Sequence, residues 1–370
     1  MFDFIHVNDY TPYFNYAVLF LLVIALAQCF SGIVLQRDTV RMNAGWGMAV
    51  AAILILYMGL RPVSSVFGDT MAYAGGFRRA AESAEPFRWT FEGEWLFHNM
   101  MRLFAKLSDI HGFFLCCAAI YIGSLWLAMV RMFRSYYYIP FLVIICMFTF
   151  WAYGVNGIRN GMGASLFILA MTYVENLPVA AVLSLLAVGC HQSIWMMVGA
   201  AALAYFFKNS YYYLAGWLLC VIASFFVGDT IQSYIAGMEM FEDNSRFTDY
   251  LTVTNIDTNE VQMEIGFRWD FLLYSAVPVI LGWYFIFRKA FVDEYYHWIY
   301  NVFLVTNAIW VLVIRASYSN RLAQISWFIM PIVLIYPLMK KRFWENHEQM
   351  LGYALIVFYS FTFYYNIIRG

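Results

Sequence analysis

Charge is what this sequence lacks most. Asp, Glu, Lys and Arg together make up 12% of the 370 residues, while 63% are hydrophobic; a soluble domain carries roughly 25% charged residues. So little water-facing charge excludes an ordinary soluble fold. The chain reads as an all-α integral membrane protein, a polytopic bundle of about 11–12 transmembrane helices. A formal net charge of −1 excludes a strongly basic nucleic-acid binder. No Lys or Arg precedes the first apolar run, which has only Asp3 and Asp9 ahead of it, so the start does not resemble a cleaved signal peptide. Cysteine is sparse: Cys29, Cys116, Cys117, Cys146, Cys190 and Cys220 all lie inside apolar runs, with no CxxC and no His at zinc spacing. They are expected as small packing residues, not as a disulfide or metal framework. A DxD pair, a Walker loop and a Rossmann glycine fingerprint are missing too, so neither a nucleotide nor a metal or cofactor is expected.

What is present is a series of apolar runs of helical length, at about 15–35, 45–60, 112–130, 137–153, 161–174, 211–228, 269–287, 297–314, 322–339 and 350–366. The stretch 178–207 has no charged residue and is interrupted by Gly189-Cys190-His191-Gln192-Ser193. It is either one long tilted helix or two shorter passes. Two passes place 36–43, 131–136, 174–178, 208–210, 288–296 and 340–347 on one side, with ten of the chain's 22 basic residues in about 39 positions. A single pass would turn Lys340-Lys341-Arg342 outward. Two passes is therefore the reading adopted, with both termini outside. Ser135-Tyr136-Tyr137-Tyr138 and Ser210-Tyr211-Tyr212-Tyr213 fall on the cytoplasmic side, as headgroup-level tyrosines should.

Residues 1–370 read as a single membrane-embedded domain with two large outward loops, about 61–111 and 229–268. These loops carry 14 of the 23 acidic residues, interleaved with aromatics (Trp89, Phe91, Trp95 and Phe97; Phe241, Phe247 and Tyr250). Acids beside ring faces suit a sugar, although interfacial aromatics on a solvated loop would look the same.

Three arginines stand in short polar breaks on that outward side. Arg159 lies in Gly154-Val155-Asn156-Gly157-Ile158-Arg159-Asn160-Gly161-Met162-Gly163, where glycines permit a tight turn and the next helix start adds its positive end. Arg315 and Arg321 bracket a seven-residue turn. A lone arginine there would snorkel to lipid phosphate, but three on one face suggest a site for a polyanion. His191 falls at the same depth and is a candidate proton acceptor. Asp69 and Tyr73, in Gly-Asp-Thr-Met-Ala-Tyr, and Glu94, in Glu-Gly-Glu-Trp-Leu-Phe, open the first outward loop. Of these carboxylates Asp69 is preferred as a base.

In this order, Asp69…Tyr73, Glu94-Trp-Leu-Phe, Ile158-Arg159-Asn160-Gly161…Ala164, Cys190-His191-Gln192-Ser193 and Asn320-Arg321, the chain resembles the EpsG-like branch of Wzy-type O-antigen and exopolysaccharide polymerases. The resemblance runs from about 60 to 340, except that 229–268 matches nothing. It implies a fold similar to the GT-C glycosyltransferases, placed in the bacterial inner membrane with the site facing the periplasm. It implies transfer of a growing glycan from undecaprenyl pyrophosphate to a lipid-linked repeat unit, so the partners would be that oligosaccharide as donor and acceptor, membrane lipid, and a chain-length regulator if one binds. Arg159, Arg315 and Arg321, with Asn160, Tyr73 and Glu94 nearby, would stabilise the pyrophosphate leaving group without metal, and Asp69 or His191 would be the base. Two rivals share parts of this chemistry. A flippase of lipid-linked oligosaccharide needs arginines but no base and should line a path to both faces, whereas the cytoplasmic segments here are short. A ligase-like transferase differs only in its acceptor.

Overall fold

The computed structural model describes residues 5–226, 228, 267–315 and 320–368, with the side chains of Asn320 and Arg321 outside the description. Every regular element among the described residues is helical. Six helical stretches are long and apolar enough to cross a membrane: Val7–Phe30, Arg37–Gly59, Ile110–Tyr136, Trp269–Arg288, Leu322–Lys340 and His347–Ile368. Four shorter apolar helices join them, so the chain is a polytopic helical membrane protein. Contacts divide it into two compact units, Met1–Trp195 with Leu338–Gly370, and Met196–Pro337, where the sequence reads as one domain.

The first unit contains α1 (Tyr10–Phe30), α2 (Arg37–Gly59), α3 (Thr70–Glu82), α4 (Trp95–Leu107), α5 (Ile110–Phe133), α6 (Tyr138–Ile145), α7 (Phe150–Val155), α8 (Ile158–Met171) and α9 (Leu177–Cys190). The helix α10 (Ile194–Phe206) begins at the edge of this unit and lies from Met196 onward in the second, and α16 (His347–Phe363) returns to the first unit late in the chain. In it α2 packs on α5, α5 on α8 and α8 on α9, while α16 lies against α1. Buried amides tie α1 to α2, Gln28 and Asn43 exchanging bonds of 3.1 and 2.8 Å. Such pairs suit a membrane interior, where an unmatched amide has no water to turn to.

The stretch 178–207 is two helices, broken at His191-Gln192-Ser193. Both α8 and α9 have 14 residues, about 21 Å of helix against a hydrocarbon core of roughly 30 Å. Each alone is therefore too short to span that core. The run 137–153, which reads as one span, is also broken, between Ile145 and Phe150, although no glycine or proline marks the place. The freed carbonyls are satisfied from elsewhere: Thr362 donates to the Cys146 oxygen at 2.7 Å and Asn366 to that of Phe148 at 3.3 Å. One tyrosine anchor is corrected as well. Tyr137 and Tyr138 are buried, and the Tyr137 hydroxyl bonds to the Ala44 carbonyl of α2, so packing rather than the headgroup region claims them.

The second unit contains α11 (Ser210–Phe226), α12 (Trp269–Trp283), α13 (Glu294–Leu312), α14 (Asn320–Trp327) and α15 (Met330–Lys340), the last of which runs out of it at its end. Polar side chains staple its buried seams. Trp217 donates to Asn307 at 2.8 Å, Asn307 to Ser326 at 3.0 Å, and Trp327 to Ser275 at 2.8 Å. The loop 229–268, which the sequence reads as outward, lies outside the described residues up to position 266, as does the turn 316–319.

Candidate functional site

The site of the first unit grows from the ends of five elements: the close of α2, the starts of α3, α4 and α8, and the close of α9. Arg61 comes first, because it fixes the frame. It follows α2 and is only 1% exposed. Its guanidinium donates to the carbonyls of Met58 (2.7 Å) and Val155 (3.0 Å) and to Thr70 Oγ1 (3.2 Å), with Phe114 at 4.3 Å from its carbon. Burial pushes its pKa down to about 10, so it remains charged at neutral pH. Two of its acceptors are buried carbonyls in the last turns of α2 and α7, where the helix dipole favours a cation. Arg61 thus pins three elements together. In the sequence it looks like an ordinary flanking cation before Pro62, and only its burial reveals the pin.

Gly68 then turns the chain toward α3 with φ +59°, and a Cβ there would lie 2.5 Å from the side chain of Asn156. Asn156 in turn accepts a bond from the Asp69 amide at 2.8 Å. Asp69 occupies the N-cap of α3 without using its side chain to cap. Its carboxylate is exposed and takes no hydrogen bond or ion pair among the described residues. Gly68→Ala combines a backbone conformation that costs an L-residue about 1–3 kcal/mol with that overlap. The expected result is a thermal midpoint several degrees lower and lost activity, read by melting the purified protein in detergent.

The centre is Glu94, at the N-cap of α4. One carboxylate oxygen is paired with Arg159 Nη1; the other lies 3.6 Å from His191 Nε2. Arg159 is in the first turn of α8, whose N-cap Gly157 offers no side-chain bond, so the positive end of the helix is left open beside the guanidinium. The rings of Tyr73 and Phe97 each lie 5.9 Å from the guanidinium carbon of Arg159. Burial raises the Tyr73 pKa despite the neighbouring arginine, so the phenol stays neutral. Two buried polar atoms here have no partner, Arg159 Nε and Asn160 Oδ1. Each costs about 1–3 kcal/mol if nothing meets it, which marks this point as one built for a ligand or ordered water.

His191 closes α9 in extended backbone. The Ser193 amide donates to its Nδ1 at 3.2 Å, and Ser193 Oγ lies 2.7 Å from the same atom. An amide can only donate, so Nδ1 is the acceptor and the ring proton sits on Nε2, facing Glu94. The ring's lone pair is therefore engaged, which weakens its claim to be the base.

Thus Asp69, Tyr73, Glu94, Arg159, Asn160 and His191 come together in one unit. The sequence names each of them but not the Glu94–Arg159 pair that organises them. Arg315 belongs to the second unit, at the close of α13. Its Nη2 lies 3.5 Å from the Phe225 carbonyl, and its guanidinium carbon is 5.7 Å from the Phe267 ring. Arg321 stands in the first turn of α14, its side chain outside the described residues. Among the described residues no three His, Cys, Asp or Glu side chains gather as a metal set would.

A family model described as the EpsG family matches residues 46–370, most of the chain. No curated protein and no solved structure matches.

Proposed function

The chain belongs to the EpsG family, and from that membership and the Glu94–Arg159 cluster we propose that it lengthens a lipid-linked glycan at the outer face of the bacterial inner membrane. Membership of that family fits a membrane polymerase of the glycosyltransferase type. The finer reading rests above all on one observation: a guanidinium held by Glu94 beside the Tyr73 ring at the uncapped start of α8, its Nε lacking a partner among the described residues.

In this reading the donor glycan is carried on undecaprenyl pyrophosphate. Asp69 takes the proton from an acceptor hydroxyl, the acceptor oxygen bonds to the anomeric carbon, and the bond from that carbon to the pyrophosphate breaks, its electron pair leaving on the phosphate oxygen. Arg159 and the α8 dipole stabilise that charge as it develops. Glu94 aims the guanidinium, and His191, through Nε2–H, steadies Glu94. The Arg159 guanidinium and the open start of α8 supply positive charge that a divalent ion supplies elsewhere, so no metal is required.

Purified protein given only lipid-linked repeat units should therefore lengthen them, and should do so in EDTA. Activity lost in EDTA and restored by magnesium would overturn the metal-free mechanism. Repeats that cross a liposome bilayer without being joined would overturn the polymerase in favour of a flippase.

A further inference from the structure

The segment joining α3 to α4 carries aromatic rings at alternate positions, Phe87, Trp89 and Phe91, and a fourth at Trp95. From Pro86 to Phe91 it has no helix or turn of its own. Thr90 ties it to α4. Buried Asn99 of α4 receives the Thr90 amide at 3.2 Å and donates to the Thr90 carbonyl at 2.6 Å, as a neighbouring strand would. Arg102 donates to Thr90 Oγ1 at 2.5 Å, and Lys106 holds the Ser83 carbonyl at 2.6 Å. With Thr90 committed to α4, the rings are left facing water. Phe87, Trp89 and Phe91 are 39%, 45% and 76% exposed.

The rings nevertheless touch in sequence. Centroids are 6.2 Å apart for Phe87–Trp89, 6.3 Å for Trp89–Phe91, 5.9 Å for Trp89–Trp95 and 5.5 Å for Phe91–Trp95. Trp95 is wedged against α9, where a Cβ on Gly189 would come within 2.6 Å of its ring. It also directly follows Glu94, so the row of rings ends at the Arg159 pair. Phe97, by contrast, turns inward and is 1% exposed.

We propose that Phe87, Trp89, Phe91 and Trp95 form a glycan-binding ladder, stacking on sugar residues of a chain whose reacting end lies at Glu94 and Arg159; this rests on the polymerase reading above. Three features favour a sugar chain over a lipid surface. Neighbouring rings are inclined to one another by 52–80°, so each offers its own face to one sugar rather than a common plane to a bilayer. Exposed Arg88 and Glu92 alternate with the rings, giving hydroxyls a donor and an acceptor where hydrocarbon would find only charge. The backbone is also fixed before any ligand arrives, so little ordering remains to be done on binding.

The test uses the full-length protein in detergent and, as probe, the repeat-unit oligosaccharide freed from the host's own lipid-linked pool by mild acid, which removes lipid and pyrophosphate together. Titration followed by tryptophan fluorescence and equilibrium dialysis should show binding. The Trp89→Ala/Phe91→Ala double variant should weaken it by about tenfold or more, with Trp89→Phe recovering most of it. In cells the double variant should still join repeats but yield shorter chains. Unchanged binding and unchanged chain length in the double variant would overturn the ladder while leaving the polymerase standing. Failure of the wild type to bind the probe while it still joins repeats would overturn it too, as would a double variant whose one defect is weaker liposome binding. Failure of the wild type to lengthen repeats at all would instead overturn the polymerase reading.

Discussion

Arg159→Ala is expected to lower polymerisation by about 10²–10³-fold, the range seen when a donor to a developing oxyanion is removed. On a gel of surface glycan the ladder of long chains should collapse to single repeats, while lipid-linked repeats continue to reach the outer face. Arg159→Lys should restore little. An ammonium is a compact point charge and cannot hold Glu94 while keeping a flat face toward the Tyr73 and Phe97 rings and further donors for a phosphate, as the guanidinium fork does. Removing the arginine also strands Glu94, so part of the loss could reflect an unpaired carboxylate. The double variant Arg159→Ala/Glu94→Gln removes that complication. It should stay inactive while melting closer to the wild type. A normal chain-length ladder from either arginine variant would sink the pyrophosphate clamp.

The second large effect separates two candidate bases. Asp69→Asn keeps size and hydrogen-bonding capacity but cannot accept the acceptor's proton, so joining should fall by about 10²–10⁴-fold. Asp69→Glu should retain part of the activity. His191→Gln is expected to lose about tenfold at most, because Nδ1 is already engaged by Ser193 and Nε2 carries the proton. The readout is the rate of lengthening of purified lipid-linked repeats at saturating substrate, with melting curves to confirm folding. An active Asp69→Asn beside an inactive His191→Gln would reverse the assignment and make the histidine the base.

The polar interruption at His191-Gln192-Ser193 was legible in the sequence as a break, because three polar groups in an uncharged apolar run cost too much unless a helix end uses them. The helix start at Arg159 was legible for a related reason, since glycines and an asparagine crowd the one place where a span begins. The pairing of Glu94 with Arg159 was not. The two are 65 residues apart, and nothing local to either says which outward carboxylate meets which arginine. Arg61 was passed over because a cation after a span is expected on any membrane helix, and what distinguishes it is the set of carbonyls converging on it. Phe97 reads like its aromatic neighbours, yet the buried face of α4 turns it onto Tyr73 and Phe113, at 5.6 and 5.4 Å. The gap between α6 and α7 has no local signal at all, for its cause lies in residues from the far end of the chain.

That gap has a consequence for the order in which the protein is made. The donors to the Cys146 and Phe148 carbonyls are Thr362 and Asn366, and Asn366 also accepts a bond from Asn15 of α1. Ribosome and insertion machinery deliver the broken span early and its donors more than two hundred residues later. Through most of synthesis, then, two backbone oxygens at the broken span wait for partners not yet translated. A chain stopped short of Thr362 would leave them waiting permanently, even though every side chain of the Glu94–Arg159 centre had already been made.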